Sequence, residues 1–573
     1  MVVDKIVECI PNFSEGSDQS VIDAIAAAIE GVESVALLDV DPGKATNRTV
    51  VTFAGTPEGV EEAAVRAIKT AAELIDMSRH SGAHPRQGAT DVCPLCPVSG
   101  VTMDECVEIS RRIGKRVGEE LGIPVYLYEH SATRPERRLL PDIRVGEYEA
   151  LAGKLGQEEW CPDFGPNEFN ERVKRTGVTV MGAREFLIAY NVNLNTRETK
   201  YATDIAMEIR ETGRVKREPS PTQFYCHGKI IRDHDGKALK KEGTFSFVKG
   251  VGWYIEEYGI AQISLNLTNH KVSPIHTVFD ECVRLAAERG LRVTGSELVG
   301  LVPLDALLEA GRHYLKKQHK SIGVTAEELV HVAVKSLGLD ELSPFDPQKK
   351  IIEYRFRKDP ALAGMQVNDF VDEVCSDSMA PGGGSVAALA GSLGAGLATM
   401  VANLTAGKKE MFERFEEMSA LAVKGQSVKS RLVHAIDEDT EAFNRIIAAV
   451  RMPKKSDEEK AARAAATEAA NQYSTMVPLH TAEACLEALK LAYEAAQKGN
   501  PASISDAGVA ALMARAGFEG AMLNVKINLP GVESEEFKAD LRARMASLHD
   551  EFGSVYVETH QQVTKVLKVL AQS

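Results

Sequence analysis

Hydrophobic positions in the first 335 residues change period repeatedly, which is typical of chains that alternate strands and helices. A helical period over 21–29 separates two apolar runs, and Thr56 followed by Pro57 predicts the start of a further helix. Thr102 and Glu105 have the spacing of a capping box and predict another helix start. The strands predicted in this part are 5–10, 34–40, 47–53 and 125–128.

The same alternation restarts after Gly177. The elements predicted there are a strand at 186–194, a helix that ends near Ile209, a strand at 261–267 and a helix from Ile275. This order favours two α/β subdomains with the ferredoxin-like βαββαβ pattern, each with its helices on one face of the sheet. We place the subdomains at 1–178 and 179–335. The stretch from Lys216 to Gly243, rich in turn residues, is predicted to be a surface insertion.

Beyond the α/β part the pattern changes to long amphipathic helices. Pro344, Pro347 and the neighbouring lysines indicate a linker, which we place at 336–362. From 363 to 573 prolines are sparse and the hydrophobic period stays helical. The sequence therefore predicts an α/β part followed by an all-α helical domain.

One stretch, from Met379 to Gly407, has no charged residue and is long enough to span a bilayer. It consists mainly of alanine and glycine, and it contains polar residues such as Ser385 and Asn403. Few bulky apolar side chains remain to favour insertion into lipid. We therefore expect a buried helix that packs closely through its small residues, and no membrane association.

Composition narrows the range of function classes. The chain has 573 residues, of which 44% are hydrophobic and 26% charged, and this is the composition of a globular protein. Sixty-seven basic and 82 acidic residues give a net charge of −15, which argues against nucleic-acid binding. Nine cysteines thinly spread through the chain are typical of a reduced, cytoplasmic protein.

The segment 79–88 holds two histidines and two arginines in a loop. One interpretation is a general base, His80 or His84, beside arginines that hold carboxylates. A zinc site that adds Cys93 and Cys96 is a second interpretation, although glycine and proline in the segment disfavour the helix that a His-x-x-x-His pair needs. A third is a loop histidine bonded to the backbone.

In the helical half, one apolar stripe contains a carboxylate. Leu432, Ile436, Phe443 and Ile447 fall on one face of a predicted helix, and Asp439 completes that face. Burial would raise the pKa of Asp439 and make it a candidate acid or base. Three neighbouring carboxylates are expected to raise it further: Asp437, Glu438 and Glu441. The alternative is a slightly rotated helix on which Asp439 faces solvent.

Two further features could bind ligands. The run 382–385, Gly-Gly-Gly-Ser, precedes a predicted helix and offers free N–H groups to an anionic or polar ligand. The segments 11–16 and 39–41 end predicted strands, where sheets commonly display binding groups. Ordinary turn chemistry explains each of them equally well.

At these residues the chain resembles the bifunctional formimidoyltransferase-cyclodeaminase family of histidine degradation, over nearly its whole length. The motifs that carry the resemblance are Val7-Glu8-Cys9, Pro11-Asn12-Phe13-Ser14-Glu15-Gly16, Leu38-Asp39-Val40-Asp41, Thr46-Asn47-Arg48-Thr49-Val50, Ile75-Asp76-Met77-Ser78-Arg79-His80, His84-Pro85-Arg86, Asp91-Val92-Cys93-Pro94, Gly146-Glu147-Tyr148-Glu149 and Ala380-Pro381-Gly382-Gly383-Gly384-Ser385-Val386.

The resemblance implies two reactions. The first half would move the formimino group from N-formimidoyl-L-glutamate to N5 of tetrahydrofolate, with His84 as the base. The second would close 5-formimidoyltetrahydrofolate to 5,10-methenyltetrahydrofolate and release ammonia, with Asp439 as the acid or base. The co-substrate would be tetrahydrofolate, with or without a polyglutamate tail, and no metal is implied.

The resemblance also implies binding residues and a homo-oligomer. The family's folate-binding segment corresponds to the run that starts at Gly165, where this chain differs in spacing and composition. The expected substrate-binding residues are Asp41, Arg86, Gly165, Pro166, Asn167, Glu168, Phe169, Asn170, Glu171, Arg172, Val173, Lys174, Gly383, Gly384 and Ser385. The helical domain of this family places its site at a dimer interface, which implies self-association through that domain.

Two alternative functions stay open at the level of sequence. The donor could be N-formylglutamate, which differs from the formimino compound by oxygen in place of NH. The helical half could also serve only as an oligomerisation and folate-holding module. Assays with both donors and a measurement of methenyl formation would separate these possibilities.

Overall fold

The chain divides into two compact units. The computed structural model describes residues 5–572 except 45, 83, 220–226, 357–359 and 379, so parts of the predicted insertion and linker lie outside the described residues. The first unit comprises Met1–Ala310 and Ala333–Lys358, and the second comprises Gly311–Val332 and Asp359–Ser573. The domain boundaries proposed from sequence stay a prediction.

The first unit begins with a seven-stranded sheet that has helices packed on both of its faces, so the predicted placement of helices on one face is wrong for this sheet. Its strands are β1 (Ile6–Cys9), β2 (Asn12–Phe13), β3 (Val35–Gly43), β4 (Arg48–Gly55), β5 (Thr90–Ser99), β6 (Val125–Glu129) and β7 (Thr179–Ala183). Its helices are α1 (Gln19–Glu30), α2 (Pro57–Leu74), α3 (Met103–Leu121) and the short α4 (Leu140–Ile143), α5 (Leu151–Lys154) and α6 (Glu171–Thr176).

The core of this sheet has the ferredoxin-like strand order. β3, β4, β1 and β5 lie side by side and antiparallel, and β2 extends the line of β1 between β4 and β5. β7 and then β6 add in parallel beyond β5. The predicted helix starts are confirmed, because Thr56 accepts the N–H of Gly59 and Thr102 forms a reciprocal capping box with Glu105.

A second sheet repeats the same topology. Its strands are β8 (Ile188–Leu194), β11 (Val248–Ile255), β12 (Ile260–Leu267) and β13 (Val293–Val299), in the all-antiparallel order β11-β12-β8-β13. A separate antiparallel pair joins the two ends of the insertion: β9 (Arg214–Val215) just before it and β10 (Lys240–Lys241) within it. The helices that follow or cover these strands are α7 (Thr199–Ile209), α8 (Ile275–Glu288), α9 (Leu304–Lys317), α10 (Ala326–Leu337) and α11 (Pro347–Lys350).

All the regular secondary structure described in the second unit is helical. Its helices from residue 367 onward are α12 (Val367–Val374), α13 (Gly383–Ala406), α14 (Phe415–Val450), α15 (Asp457–Lys498), α16 (Ile504–Asn528) and α17 (Glu535–Leu570). The segment 311–332 also packs within this unit: the Ile322 N–H donates to Ser419 at 3.0 Å, and Asn403 donates to the Gly323 carbonyl at 3.0 Å. The predicted α/β part followed by an all-α domain is thus confirmed.

Helix α13 is the charge-free stretch noted above. Among the described residues it is the one helix long and apolar enough to cross a membrane, and 61% of its most apolar window is buried inside the protein. A Cβ added at Gly391 would lie 2.5 Å from Cys485 Sγ, so helices approach it more closely than a side chain would allow. The expected core helix with small packing residues is what the structure contains.

Gly394 and Gly396 provide a matched test of this close packing. A Cβ at Gly394 would lie 2.8 Å from the Ala510 carbonyl oxygen and 2.9 Å from Ala514 N, whereas a Cβ at Gly396 meets no described atom within 4 Å. We expect Gly394→Ala to lower the free energy of unfolding by about 1–3 kcal/mol, through overpacking against α16 backbone. Gly396→Ala should raise it by up to about 1 kcal/mol through helix propensity. Urea unfolding followed by helical circular dichroism measures both, and equal midpoints would contradict the packing.

Candidate functional site

His80 is held on both ring nitrogens. Its Nε2 lies 3.0 Å from the Asn47 carbonyl oxygen, to which it donates, and its Nδ1 accepts from Arg86 Nε at 3.3 Å. A ring with both nitrogens occupied by neighbouring protein groups fixes the loop and has no nitrogen left for a substrate. His80 therefore matches the interpretation of a loop histidine bonded to the backbone.

His84, in contrast, presents an imidazole that stays neutral near pH 7. Its Nε2 lies 3.0 Å from Arg48 Nη1, and because a guanidinium only donates, Nε2 must be the acceptor and the ring proton resides on Nδ1. Burial lowers the pKa of His84 below its usual 6.5, and the positive charges of Arg48 and Arg144 lower it further. A neutral imidazole in a half-buried site can act as a general base.

The arginines near His84 come from outside its own loop. Arg48, the first residue of β4, also donates to Asn12 Oδ1 at 2.8 Å. Arg144, just after α4, pairs with the buried Asp91 of β5. Arg48 lies in a motif that carried the resemblance, so the sequence held a signal for it, whereas no local pattern marks Arg144.

Within the described residues, the two arginines of the His84 loop itself, Arg79 and Arg86, pair with carboxylates and form no hydrogen bond with His84. Arg86 is buried, with Nη1 3.1 Å from Glu147 and Nη2 2.8 Å from Glu149, and these carboxylates raise its pKa. Arg79 is 88% exposed beside Asp76. The predicted substrate contact of Arg86 stays a prediction, because in this structure its guanidinium is already occupied by two carboxylates.

Asn47 joins the segments that surround His84. It adopts a positive φ of 48°, its Oδ1 accepts the Gly16 N–H at 3.0 Å, and its Nδ2 donates to the Ser81 carbonyl at 2.9 Å. The β3–β4 turn, the loop 11–16 and the His84 loop therefore meet at one side chain. Asp41 lies on β3 of the same hairpin with its side chain exposed, and its charge acts on Arg48.

The predicted folate segment, Gly165 to Lys174, lies against the same loop through Tyr148. The Tyr148 N–H donates to the Arg86 carbonyl at 2.9 Å, its hydroxyl donates to the Lys174 carbonyl, and its ring lies 6.3 Å from that of Phe169. The segment ends in α6, where Asn170 caps the helix and Val173 is buried. The structure thus brings this segment and His84 into one region, while its contacts with folate stay a prediction.

Among the described residues, Cys93 and Cys96, the two cysteines of the zinc interpretation, contact other groups and not the histidines. Cys93 is fully buried with its Sγ 3.4 Å from that of Cys9, and Cys96 is buried near the Glu185 carbonyl. Within the described ranges, no group of three or more His, Cys, Asp or Glu residues could hold a metal ion.

In the helical unit, Asp439 of α14 contacts the N-terminal end of α13. Its Oδ2 accepts the Ser385 N–H at 3.0 Å and the Ser385 hydroxyl at 3.3 Å. A Cβ added at Gly384 would lie 2.1 Å from Asp439 Oδ1. The predicted Gly383–Ser385 run and Asp439 therefore form one site, in which the carboxylate occupies the space that a side chain at Gly384 would fill.

Burial raises the pKa of Asp439 above its usual value, and the two bonds from Ser385 oppose that rise. The neighbouring carboxylates do not supply the rise that the sequence suggested, because each has a partner of its own. Asp437 accepts the Leu362 N–H at 2.7 Å, Glu438 accepts the Tyr473 hydroxyl at 2.8 Å, and Glu441 pairs with Arg445.

Asp439 reaches this place because it continues a seam between α13 and α14. Met418, Gly425 and Leu432 are buried at intervals of seven residues, and Asp439 is the next position. The seven-residue interval also explains why Phe443 and Ile447, predicted for the same stripe, are only half buried: Ala442 and Ala449 take the core positions instead.

One polar residue at this site was not found from sequence. Asn524 on α16 lies beside Gly383, with its Nδ2 3.3 Å from the position of an added Cβ, and its own amide donates to the Gly520 carbonyl. Its sequence neighbourhood is that of an ordinary amphipathic helix, so only the packing of α16 against α13 brings it to the site.

Comparisons with known proteins place both halves in one family. Residues 6–184 match the "Formiminotransferase domain, N-terminal subdomain", residues 189–357 the "Formiminotransferase domain", and residues 366–547 "Formiminotransferase-cyclodeaminase". The chain is 44% identical to the formimidoyltransferase-cyclodeaminase of Rattus norvegicus over 551 residues, which cover 96% of each chain.

Two shorter relatives match one half each. The glutamate formimidoyltransferase of Streptococcus pyogenes serotype M1 is 40% identical and covers 56% of this chain and 97% of its own length. The methenyltetrahydrofolate cyclohydrolase of Methylorubrum extorquens is 39% identical and covers 35% of this chain and 98% of its own length.

Proposed function

Because the chain belongs to the formimidoyltransferase-cyclodeaminase family, we propose that its two compact units carry out two consecutive folate reactions through His84 and Asp439. The chain is a bifunctional enzyme that transfers the formimino group of N-formimidoyl-L-glutamate to tetrahydrofolate and then cyclises the product with release of ammonia. The observations that carry the proposal for the sites are that His84 keeps Nε2 as an acceptor beside Arg48 and that the Asp439 carboxylate lies against Gly384 and Ser385. Burial lowers the pKa of His84 and raises the pKa of Asp439.

In the transferase, His84 acts as the general base. N5 of tetrahydrofolate forms a bond to the formimino carbon, and the bond from that carbon to the glutamate nitrogen breaks. His84 Nε2 takes the proton from N5 and returns it to the departing glutamate nitrogen. The lowered pKa keeps the ring in its neutral form at pH 7, which is the form that can take up a proton.

In the cyclodeaminase, Asp439 acts as the acid and base. N10 adds to the formimino carbon, its proton passes to the former imino nitrogen, and a second proton lets that nitrogen leave as ammonia from the cationic methenyl product. Both Ser385 bonds converge on Oδ2, so Oδ1 is the oxygen that we assign to carry the proton. A raised pKa keeps a fraction of the carboxyl protonated for this step.

The remaining binding assignments rest on position. The segment from Gly165 to Lys174 would hold folate near His84, and Asp41 and Arg86 would contact the donor. Gly383, Gly384 and Ser385 would hold the folate intermediate near Asp439, with Asn524 as an added polar contact. Tetrahydrofolate, with or without a polyglutamate tail, is the co-substrate. The donor carries a formimino group and not a formyl group, in line with the names of the relatives.

We further propose that the helical unit self-associates. Helices α13 and α16 pack together, and each leaves a row of apolar side chains exposed. The rows consist of Val386, Leu393, Met400 and Leu404 on α13, and Val509, Leu512, Leu523 and Ile527 on α16. Exposed rows of this kind on adjacent helices suit an interface with a second copy of the chain.

We propose the cytoplasm as the location. The eight cysteines in the described part of the chain are all free thiols, and six of them are fully buried in the hydrophobic interior. Free, widely spaced thiols suit a reducing compartment.

His84→Ala should abolish transfer and leave cyclodeaminase activity intact, because the two sites lie in different compact units. We expect a loss of roughly 10²–10⁴-fold in kcat for transfer, the usual contribution of a general base. Formation of 5-formimidoyltetrahydrofolate measures transfer, and methenyl absorbance from supplied 5-formimidoyltetrahydrofolate measures ring closure. His80→Ala is the comparison: a severe loss there with a mild one for His84→Ala would reassign the base.

Asp439→Asn should slow ring closure by roughly 10²–10⁴-fold and leave transfer unchanged, because the nearly isosteric amide keeps the fold but does not exchange the proton. The variant should accumulate 5-formimidoyltetrahydrofolate and release little ammonia. Ammonia and transfer are measured on one preparation, and wild-type ammonia release would exclude the catalytic role of Asp439.

Gly384→Ala tests the same site without changing a charge, with Gly396→Ala on the same helix as the control. The added methyl would displace the Asp439 carboxylate, so ring closure should fall while transfer persists. Gly396→Ala, which meets no described neighbour within 4 Å, should retain both activities.

Leu523→Glu should dissociate the proposed assembly, because a charge within an apolar interface is costly to bury. Leu567→Glu, on the exposed surface of α17, is the control. Sedimentation velocity should give a smaller species for the first variant alone. An unchanged sedimentation coefficient would exclude this face as the interface.

A further inference from the structure

Near His84, two arginines, Arg48 and Arg144, are served by one buried carboxylate. Burial and the positive charge of Arg144 lower the pKa of Arg48. Both also act on His84. One buried carboxylate, Asp91, pairs with Arg144 and attracts Arg48, and the next acidic group that acts on Arg48, Asp41, is exposed.

Within the described ranges, both guanidinium groups also have an N–H group that makes no hydrogen bond. The N–H groups at Arg48 Nε and Arg144 Nε are buried and donate to no acceptor among the described atoms. One of the bonds that Arg48 does make is to His84, where Nη1 donates to a neutral ring nitrogen and not to an anion. Buried donors of this kind are costly unless a partner arrives, and the partner that suits a guanidinium best is a carboxylate.

We propose that Arg48 and Arg144 form the receptor for the carboxylates of the glutamate donor, and that Arg48 releases His84 Nε2 when that donor binds. This inference rests on the proposed function of His84 as the transferase base. N-formimidoyl-L-glutamate carries two carboxylates, and a planar guanidinium binds a carboxylate with two parallel hydrogen bonds. Arg48 is then a specificity-determining and positioning residue, which acts on the reaction through the donor and through His84.

Release of His84 Nε2 by Arg48 couples binding of the glutamate donor to proton transfer. While Arg48 donates to Nε2, the lone pair that must accept the N5 proton is occupied. When Arg48 turns to a carboxylate, Nε2 is freed and the added negative charge offsets the two positive charges that depress the pKa of His84. The base therefore becomes available, and more basic, only when a dicarboxylate is present.

The same carboxylate chemistry is present in the glutamate tail of folate, so the experiment has to separate the two sources. The donor and tetrahydrofolate are varied independently, which gives a KM for each. Arg48→Gln removes the positive charge, and Arg48→Lys retains the charge without the planar guanidinium. Arg79→Gln, at an exposed arginine of the His84 loop, is the control.

We expect Arg48→Gln to raise the KM for N-formimidoyl-L-glutamate by about ten- to hundredfold, the loss expected for one charge-assisted hydrogen-bonded contact. The KM for tetrahydrofolate should stay within about twofold. Glutarate, a dicarboxylate with no group to transfer, should compete with the donor in the wild type and much less in Arg48→Gln. Arg48→Lys should be intermediate, and Arg79→Gln should match the wild type.

The pKa of His84, followed by NMR titration of the imidazole, gives a readout besides activity. The groups whose charges act on it or on Arg48 are Arg48 on β4, Arg144 and Glu147 after α4, Asp41 on β3 and Asp91 on β5. In the wild type this pKa lies below 6.5 and should rise when glutarate is added. In Arg48→Gln it should already be higher without glutarate, because one repelling charge is gone, and the acidic limb of kcat/KM should move to higher pH with it.

The outcomes separate this inference from the function on which it rests. An unchanged donor KM and an unchanged His84 pKa in Arg48→Gln would overturn the receptor, even if His84→Ala is inactive as expected. A rise in the KM for tetrahydrofolate in place of the donor KM would mean that the pair binds the folate tail, and would also overturn it. Active His84→Ala protein would instead overturn the assignment of the base, whatever Arg48→Gln does.

Discussion

Burial of one ionisable group sets the chemistry available to each unit. Desolvation disfavours the charged form of any side chain, so the same cause acts in opposite senses on a base and on an acid. It lowers the pKa of His84, which therefore stays neutral, and raises the pKa of Asp439, which therefore holds a proton more readily. Nearby groups add to these shifts or oppose them. The charge of Arg48 lowers the pKa of His84 further, and the hydrogen bonds from Ser385 oppose the rise in the pKa of Asp439.

Close approach of backbone segments makes this burial possible. In the first unit, a Cβ at Gly88 would lie 2.1 Å from the Val178 carbonyl oxygen, so the His84 loop lies directly against the chain that follows the predicted folate segment. In the second unit, the seam between α13 and α14 ends where Gly384 leaves room for the Asp439 carboxylate. Both sites therefore depend on positions where a larger residue would push two segments apart.

Much of the fold could be predicted because its signals are local. Helix starts at Thr56 and Thr102 follow from side-chain capping of backbone N–H groups a few residues away. Strands β11 and β13 were not identified one by one, since Gly250 and Gly252 interrupt the first and the run 294–297 (Thr-Gly-Ser-Glu) interrupts the apolar positions of the second. β11 pairs with β12, and β13 pairs with β8. The order of strands and helices along the chain indicated the ferredoxin-like topology, but it did not identify which residues pair.

The sequence by itself determined the fold class, the family resemblance, and the residue types on which the chemistry depends, including Asp439 on its helical stripe. Those properties follow from composition, periodicity and motifs, which short stretches of chain carry. Only the tertiary structure decided which groups face each other: His80 is occupied on both nitrogens, whereas His84 meets Arg48 and Arg144 from two other segments. The physical reason is that burial and charge act through distance in space, and residues 48, 84 and 144 become neighbours only when the sheet and its loops pack together.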